Sequence, residues 1–462
     1  MSNNSPEALN TPIVERGLKR IPFFNGRVLT AEDLETEQRA DATERKRLGR
    51  AIGTGVIEGL FVDRVDHESD DPPTTVTVES GLALAPSGCV VELPQTTDVS
   101  VVSEIDRDET AGTKGQFASC SAREVVASSG NGAYLLFVEP AAEPYKRTPR
   151  TRLGGDGAAS ECGAQYRREG ARLRLMHLDT GDAGLVPESL QTERGRKLEI
   201  EEEFDEGSDF KARHVSKLRN ILAHVCLRTS SALKETADLY DTLRAHSRGS
   251  ATDTNGPVDE LRGRAAGKNG GLEDAVPIAL LYWAQDRILF VDNWSVRRRV
   301  HRSDPQRPTP ATDRRRAEGE AAFHQFQAHV GDLTASEGPA EELPVLEARV
   351  FFEYLPAAGL VPVETEGPHE ENLDFVDELT HQEPVYVEGA EVSRLLEQSF
   401  LAPPHRVDAG EMLVLYRVRQ NRQFDAKTPY ILFASGHLPL LGDARFDLSR
   451  WDYSQYGTVV HS

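Results

Sequence analysis

Residues 23–62 constrain the fold of this chain most, because they contain the signals for one helix and for the strand that follows it. Thr30 is a good N-cap residue, and Asp33 occupies the third helical position. Leu29 and Leu34 flank the cap as a hydrophobic staple would. Acidic residues at the helix start and basic residues at its end favour the helix dipole. A helix that begins after Thr30 is therefore predicted.

This helix is poorly amphipathic, with Leu34 and Leu48 as its only large apolar residues. Gly49 and Gly53 allow it to end. A polar helix of this kind bridges solvent or packs against other protein chains. Residues 1–54 are therefore predicted to form an N-terminal arm and a docking helix.

From Gly55 onwards apolar and polar residues alternate, which is the period of a half-buried antiparallel sheet. Strands are predicted at residues 56–62, 74–85, 89–94, 99–105, 133–140 and 171–178, with a loop at 145–169. Helices are predicted at residues 210–246, 314–330 and 392–400, and a β-hairpin at 276–296 that turns near Gln285 and Asp286. Further β-rich segments are predicted at 346–356, 411–420 and 428–441.

The predicted fold class is α+β, mostly β, with antiparallel sandwich-like or barrel-like modules, an N-terminal polar helix and helical insertions. A chain of 462 residues is too long for one ordinary core. The predicted domains are the docking segment at 1–54, a β-rich domain at 55–304 with a helical insertion near 210–247, a helical linker at 305–343, and a C-terminal β-rich module at 344–462.

The net charge of −22 argues against a nucleic-acid partner and against an anionic membrane surface. Ten of the 53 basic residues are lysine, and the others are arginine. An acidic surface with few lysines is typical of proteins from salt-loving archaea, where ionic strength screens the repulsion. A GC-rich genome, which favours arginine codons, is the alternative explanation.

The four cysteines, Cys89, Cys120, Cys162 and Cys226, are widely spaced and fit buried thiols in a reducing cytosol. The first twenty residues lack the apolar core of a signal peptide, and no apolar run approaches the ~20 residues of a membrane span. We therefore expect assembly in the cytoplasm, without membrane insertion, and release only as part of a particle or by lysis.

The sequence contains no nucleotide-binding, metalloprotease, serine-hydrolase or EF-hand motif. His324 and His329 are five residues apart and point to different helix faces, whereas His214 and His224 could share a face. Surface or interface histidines are the preferred interpretation, because metal ligands need other spacings. The sequence thus predicts no catalytic residue, no cofactor and no metal, and hence no enzyme.

The acidic run, the arginine clusters and the aromatic residues could each be either a binding site or an ordinary structural feature. The acidic run at 201–203 could bind Ca²⁺, but a solvated loop is preferred because Ca²⁺ needs six or more converging oxygens. The arginines are expected to pair with acidic patches in this chain or on a neighbour. The tryptophans are expected in cores or interfaces, with a sugar platform as the alternative, and the aromatic stretch at 446–460 could dock on a partner. The residues concerned are Arg297, Arg298, Arg299, Arg302, Arg314, Arg315, Arg316, Trp283, Trp294 and Trp451.

The same N-terminal stretch resembles a family of proteins encoded beside phage-tail-like contractile injection systems and tailed-phage baseplates. The family pattern is an aromatic pair, Asp/Asn-Gly, Leu-Thr-Ala-Glu-Asp, Glu-Gln, a basic helix end and a glycine-rich strand. The Asn and His that members often carry near the helix end are replaced here by residues 48–55, which suits a purely structural motif. The matching residues are Phe23, Phe24, Asn25, Gly26, Leu29, Thr30, Ala31, Glu32, Asp33, Leu34, Glu37, Gln38, Gly55, Val56, Ile57, Gly59, Leu60 and Val62.

The resemblance implies a structural component of the baseplate or its periphery, present in several symmetric copies and bound to other baseplate or tail proteins. It brings no catalytic residues. A tail-fibre or receptor-binding protein, of the same particle or of a tailed virus, is the alternative that the β-rich modules leave open. A glycan- or cell-wall-cleaving enzyme is a further alternative, because two apposed carboxylates could exist among 75 acidic residues.

Overall fold

A computed structural model of the protein describes residues 17–65, 74–101, 132–150, 161–178, 209–227, 274–284, 287–300, 312–335, 347–362, 375, 385–402, 404–407, 413–418, 430–435 and 438. Within these segments the helices are α1 (Ala31–Ile52), α2 (Asp209–Leu227), α3 (Thr312–Ala335), α4 (Ala348–Phe351) and α5 (Gly389–Ser399). The strands between them form sheets that pack around four apolar clusters.

Two small antiparallel sheets follow α1. One has the order β1–β4–β5, from β1 (Gly55–Gly59), β4 (Gly81–Leu84) and β5 (Val90–Leu93). The other has the order β2–β3–β6, from β2 (Val62–Arg64), β3 (Thr75–Val78) and β6 (Thr97–Ser100). Along the chain, β2 and β3 belong to one sheet and β4 and β5 to the other, so the two sheets are formed from the same stretch of sequence.

A larger antiparallel sheet has the order β10–β9–β7–β8. Its side chains pack in two separate cores, one on each face, because successive residues of a strand point to opposite faces. Leu136 and Ile278 face the small sheets, while Phe137 and Leu280 face α2. The strands are β7 (Gly132–Arg150), β8 (Glu161–His177), β9 (Val276–Ala284) and β10 (Arg287–Asp292).

The C-terminal part contains a second four-stranded sheet with the order β12–β16–β15–β13 and a two-stranded ribbon, β11–β14. Phe326 of α3 packs on one face of this sheet and Leu395 of α5 belongs to the cluster on the other. β13 runs parallel to β15, and the other pairs are antiparallel. The strands are β11 (Tyr354–Leu355), β12 (Ala358–Pro362), β13 (Val385–Val387), β14 (His405–Arg406), β15 (Leu413–Val418) and β16 (Tyr430–Ser435).

Helix α2 connects the two halves, because it contacts β10 on one side and α3 and α4 on the other. The layers therefore run from the small sheets through the larger sheet, α2 and α3 to the C-terminal sheet. Helix α3 lies inside the segment predicted as a linker, and its residues Phe326 and Val330 form part of the C-terminal core.

The α+β, mostly β fold class is confirmed by this architecture, and the barrel-like closure stays a prediction. The N-cap at Thr30 is confirmed, as is the hairpin in which Ala284 pairs with Arg287. Helices α3 and α5 confirm the segments predicted at 314–330 and 392–400. The helix predicted at 210–246 is present as far as Leu227, and residues 228–246 lie outside the described residues.

Four predictions are wrong. The single strand at 56–62 is divided between two sheets, because Gly59 and Leu60 both have positive φ angles, of 58° and 60°. The single strand at 74–85 is likewise divided, into β3 and β4 of different sheets. The loop at 145–169 is largely β-strand, since β7 and β8 pair from Tyr134↔His177 to Arg150↔Glu161. The strand expected within 346–356 begins as the short helix α4 and becomes extended at Tyr354.

Candidate docking site

Helix α1 begins at a complete capping box. The Asp33 backbone N–H donates to Thr30 Oγ1 at 3.2 Å, and the Thr30 backbone N–H donates to Asp33 Oδ2 at 3.0 Å. Arg27 Nη2 lies 2.8 Å from Asp33 Oδ1. The bonds from Thr30, followed by the Arg27 charge, lower the pKa of Asp33 from its ordinary value. The Asp33 carboxylate therefore stays negatively charged, which is favourable at the positive end of the helix dipole.

Residues before the cap lie back along the helix. Arg20 Nη1 is 2.9 Å from Glu37 Oε1 and 3.0 Å from Asp41 Oδ1, and its Nη2 binds Glu44. The backbone N–H of Ile21 donates to Glu37 Oε2 at 3.0 Å. Exposed ion pairs contribute little each, but three acceptors on one guanidinium fix the position of the segment. The acidic side of α1 is thus used to hold residues 17–30.

The C-terminal end of α1 is fixed to the small sheets at a contact between two glycines. A Cβ atom on Gly49 would overlap the backbone of Gly88, and one on Gly88 would overlap the backbone of Lys46. Gly88 also has a φ of 85°, which an L side chain rarely adopts. At Gly53 the chain leaves the helix, with its N–H bound to the Gly49 carbonyl at 3.0 Å. Helix α1 therefore meets the β-domain closely at its last turn.

Apolar side chains are exposed along this segment. Val28 is 85% exposed, and Phe23 and Phe24 are exposed by about two thirds of their area. Leu34, Leu48 and Ile52 fall on one face of α1, because their spacings of fourteen and four residues are close to whole helical turns. Leu34 and Leu48 lie about 21 Å apart along the helix, so the exposed apolar residues form one group at the start of α1 and one at its end. Groups of exposed apolar residues are typical of interaction sites. We call this set the N-terminal apolar surface: Phe23, Phe24, Val28, Leu29, Leu34, Leu48 and Ile52.

The glycine-rich strand after α1 is held by a buried arginine. Arg297 Nη1 donates to the Leu60 carbonyl at 2.9 Å, Nη2 donates to the Gly59 carbonyl, and the guanidinium lies 4.0 Å from the centre of the Phe61 ring. Burial lowers the pKa of Arg297 to about 10. The left-handed turn at Gly59 and Leu60 therefore points two carbonyls at one cation.

An asparagine holds the next residue of this strand. The Val62 N–H donates to Asn293 Oδ1 at 2.8 Å, and Asn293 Nδ2 donates to the Val62 carbonyl at 2.9 Å. The side-chain amide thus makes the same pair of hydrogen bonds with Val62 that the backbone of a neighbouring strand would make. Sequence reasoning missed both Asn293 and the role of Arg297. The available signal was the position of the basic run, which is separated from strand β10 by four residues.

The prediction that the arginine run pairs with acids holds for one of its described members. Arg299 Nη1 lies 3.1 Å from Glu320 Oε1. The Arg297 and Arg298 side chains bind backbone carbonyls, including those of Trp294 and Ser295, and their pairing with acidic patches stays a prediction. Arg316 lies 3.9 Å from Glu397. The side chains of Arg302, Arg314 and Arg315 lie outside the described residues.

A buried polar network occupies the junction between α2, β10 and α3. Arg219 Nε donates to Asp292 Oδ2 at 3.1 Å, and Gln325 Nε2 donates to the same oxygen at 3.0 Å. The other carboxylate oxygen accepts from the Ser295 backbone at 2.8 Å and from its hydroxyl. Burial alone would raise the pKa of Asp292, but the Arg219 charge and these donors lower it. Asp292 is therefore a charged, fully satisfied structural group.

Ser216 and His329 form the arrangement that most resembles catalytic machinery. Ser216 Oγ lies 2.8 Å from His329 Nε2 and 3.0 Å from the Phe351 carbonyl oxygen. The single hydroxyl proton donates to that carbonyl, so Nε2 carries a proton and donates to Ser216. Both residues are buried, and burial, assisted by the Arg219 charge, places the pKa of His329 well below its ordinary value. His329 thus acts here as a neutral donor, the reverse of a base that activates serine.

The other histidines and tryptophans considered as candidate site residues do not form a common site in the described segments. The His224 ring stacks on Tyr354 at 3.6 Å, and the His324 ring stacks on Trp294 at 4.5 Å. Trp283 is in the core between the sheets, as predicted. Among the residues that the structure describes, no three His, Cys, Asp or Glu side chains are placed to hold a metal ion. Residues 201–203, Trp451 and residues 446–460 lie outside the described part.

Comparison with known proteins gives no family: no protein-family model and no curated protein matches this chain. In the described segments no helix is both long enough and apolar enough to cross a membrane. The geometry of residues 17–62 is therefore the main basis for a functional proposal.

Proposed function

We propose that this protein is a structural component of a phage-tail-like contractile injection particle, at the baseplate or its periphery. It would bind other baseplate or tail proteins through residues 17–52 and assemble with them in the cytoplasm. The observation that carries the proposal is the N-terminal apolar surface on a capped helix that meets the β-domain closely at its last turn. A helix of 22 residues is about 33 Å long, which is enough to span a neighbouring subunit.

The residues that carry the family resemblance support this proposal through their structural roles. Thr30 and Asp33 cap the helix, Gly55 and Gly59 allow close backbone contacts, and Leu60 adopts the left-handed turn. These residues therefore have the role of shaping the backbone. The aromatic pair is the exception, because Phe23 and Phe24 are exposed and stabilise little in the isolated chain. An exposed aromatic pair on a fixed segment is what a docking surface requires.

The proposal predicts that the double variant Phe23→Ser/Phe24→Ser dissociates from purified particles, because both rings lose their apolar contact with the partner. Co-sedimentation of tagged protein with particles from the native host in high salt measures this. Deleting residues 1–50 should have the same effect while the β-modules stay folded, as circular dichroism would show.

The control is Leu401→Ser, which removes an exposed apolar side chain elsewhere. We expect this control to sediment with particles like the parent chain. If the aromatic double variant or the truncated chain still co-sediments fully, residues 17–52 are not the docking site. If the parent chain never sediments with particles, the assignment to the particle is wrong.

A fibre or receptor-binding role is the second candidate, and the long β7–β8 ribbon is the observation that favours it. Tyr145 and Tyr166 are exposed on this ribbon, and tyrosine and arginine are enriched in recognition surfaces. Negative-stain images of particles with a label on the C-terminal module separate the two roles. A label at the distal tip supports the fibre, and a label near the baseplate supports the structural role.

A further inference from the structure

The β7–β8 ribbon extends far beyond the sheet to which it belongs. Strand β7 pairs with β9 only from Gly132 to Val138, whereas its pairing with β8 continues to Arg150. The twelve residues of β7 beyond Val138 correspond to roughly 40 Å at the usual strand rise. We call residues 140–150 and 161–171 the β-arm. Its described side chains at 142–146 and 164–170 are all exposed.

The backbone of the β-arm is protected against strand addition. Pro140, Pro144 and Pro149 remove N–H donors along β7. Charged side chains of β8, such as Arg167 and Glu169, also discourage edge pairing. A partner would therefore be recognised by side chains of the arm, and their charge becomes the deciding property.

The β-arm is basic in an acidic protein. It has five basic and three acidic residues, whereas the whole chain has a net charge of −22. Arg168 lies 3.9 Å from the centre of the Tyr145 ring, and Lys146 lies 5.5 Å from the same ring. Within the described segments, no carboxylate lies at ion-pair distance from Lys146, Arg167 or Arg168. The charged residues are Lys146, Arg147, Arg150, Arg167 and Arg168 against Glu143, Glu161 and Glu169.

The small sheets have the opposite charge. Between residues 53 and 100 the sequence has nine acidic residues and one basic residue, Arg64. Glu58 and Glu92 both pair with Leu82, so these two exposed carboxylates lie in one row across β1–β4–β5. Asp63, Glu79 and Asp98 are further exposed acids of the same region. This acidic row is a fixed feature of a folded sheet.

We propose that the β-arm of one copy of this protein docks on the acidic β1–β4–β5 sheet of the next copy. Each copy has one arm and one acidic sheet, so the contact is head-to-tail and can continue from subunit to subunit, closing into a ring where the rotation permits. Arg168 shares one face of the arm with Tyr145 and Tyr166, and on this face it meets Glu58 and Glu92 of the neighbour while the two rings supply apolar contact area. Arg167 lies on the opposite face and adds to the positive charge of the arm. The contact concerns copies of this chain alone and does not depend on the proposed particle.

Sedimentation of the purified full-length protein over a range of concentrations tests the contact. At ~0.5 M salt the Debye length is about 4 Å, so long-range repulsion between acidic copies is screened while direct ion pairs persist. The parent chain should self-associate. Arg167→Glu/Arg168→Glu should weaken association by roughly tenfold or more, because the net charge of the arm becomes negative and the acidic sheet then repels it. The control, Arg45→Glu/Arg47→Glu, makes the same charge change on exposed residues of α1 and should associate like the parent chain.

A complementation experiment makes the test specific to these two surfaces. Glu58→Arg/Glu92→Arg should fail to self-associate, as the arm variant does, because each variant then has surfaces of like charge. Mixing the two variants should restore association, because each arm meets an oppositely charged sheet on the other protein. Circular dichroism checks that both variants are folded. A monomeric parent chain, an arm variant that associates normally, or a mixture that stays monomeric would each overturn the proposal.

Discussion

At the scale of single residues, several buried polar side chains have hydrogen bonds to specific partners. Asp292 has donors on both carboxylate oxygens, and Asn220 exchanges hydrogen bonds with the backbone of residues 353 and 354. His329 is less completely satisfied, because its Nδ1 atom is buried with no hydrogen-bond partner in the described part of the chain. Adding a proton there would place a charge beside Arg219 in a buried site. Its ionisation is therefore linked to stability.

We predict that His329→Gln flattens the pH dependence of unfolding. The pKa of His329 in the fold lies well below 6.5, so below pH 6.5 the unfolded chain binds the proton first. Stability due to the neutral ring is therefore full above pH 6.5 and is lost as pH falls towards the folded pKa. Urea denaturation between pH 7.5 and 4.5 measures the slope. A glutamine amide still donates to Ser216 but does not titrate, so an unchanged slope would contradict the prediction.

At the scale of elements, close contacts between backbones determine where α1 meets the small sheets. Gly88 combines a left-handed φ with a contact on the Lys46 carbonyl, so neither the turn nor the helix end tolerates a side chain. By contrast, a Cβ atom on Gly331 in α3 would meet no atom within 4 Å. The two glycines therefore form a matched pair for substitution.

We predict that Gly88→Ala destabilises the protein by about 2 kcal/mol or more, because the new methyl group overlaps fixed backbone and the φ angle is strained. Gly331→Ala should instead stabilise α3 by ~0.5–1 kcal/mol, since alanine loses less backbone entropy in a helix. Thermal and urea unfolding of both variants measure the difference. Equal effects of the two substitutions would show that the contact at Gly88 is not tight.

At the scale of the whole molecule, α2 joins two cores that lie far apart in sequence. Asn220 Oδ1 accepts from the backbone N–H groups of Glu353 and Tyr354 at 2.9 and 2.8 Å, while Arg219 reaches Asp292 and Asp332. These contacts fasten the C-terminal sheet to the layers around the larger sheet. The two halves should therefore unfold together as long as the junction is intact.

We predict that Asn220→Ala separates this unfolding into two transitions. Alanine leaves two buried N–H groups and the Tyr354 carbonyl without the partner they have here, at a penalty of about 1–3 kcal/mol for each unsatisfied group. Differential scanning calorimetry should show one peak for the parent chain and a resolved earlier peak for the variant. One sharp peak at a lower temperature would mean that the halves remain coupled through other contacts.

Local signals were predicted well from the sequence, and distant partners were not. Thr30 was identified because its cap partner is three residues away. The turn at Gly59 and Leu60 was missed because its partner, Arg297, is more than 230 residues away. The β-arm was taken for a loop because its proline and charged residues resemble loop composition, while pairing across the ribbon determines its conformation. Helix α1 was expected from its cap and its charges, but the position of the exposed aromatic pair required the structure.

The contact of Arg297 with Gly59 and Leu60 also has a consequence for synthesis. During translation the left-handed turn emerges early, but the cation that satisfies its carbonyls emerges more than 230 residues later. A nascent chain must therefore carry its first sheets without their closing contact until the end of β10 has been made. Truncated products that end before Arg297 would retain the N-terminal apolar surface on an incomplete β-domain. Because these fragments lack the cation that satisfies the two carbonyls of the turn, we expect chaperones and proteases to recognise them more readily than the full-length chain.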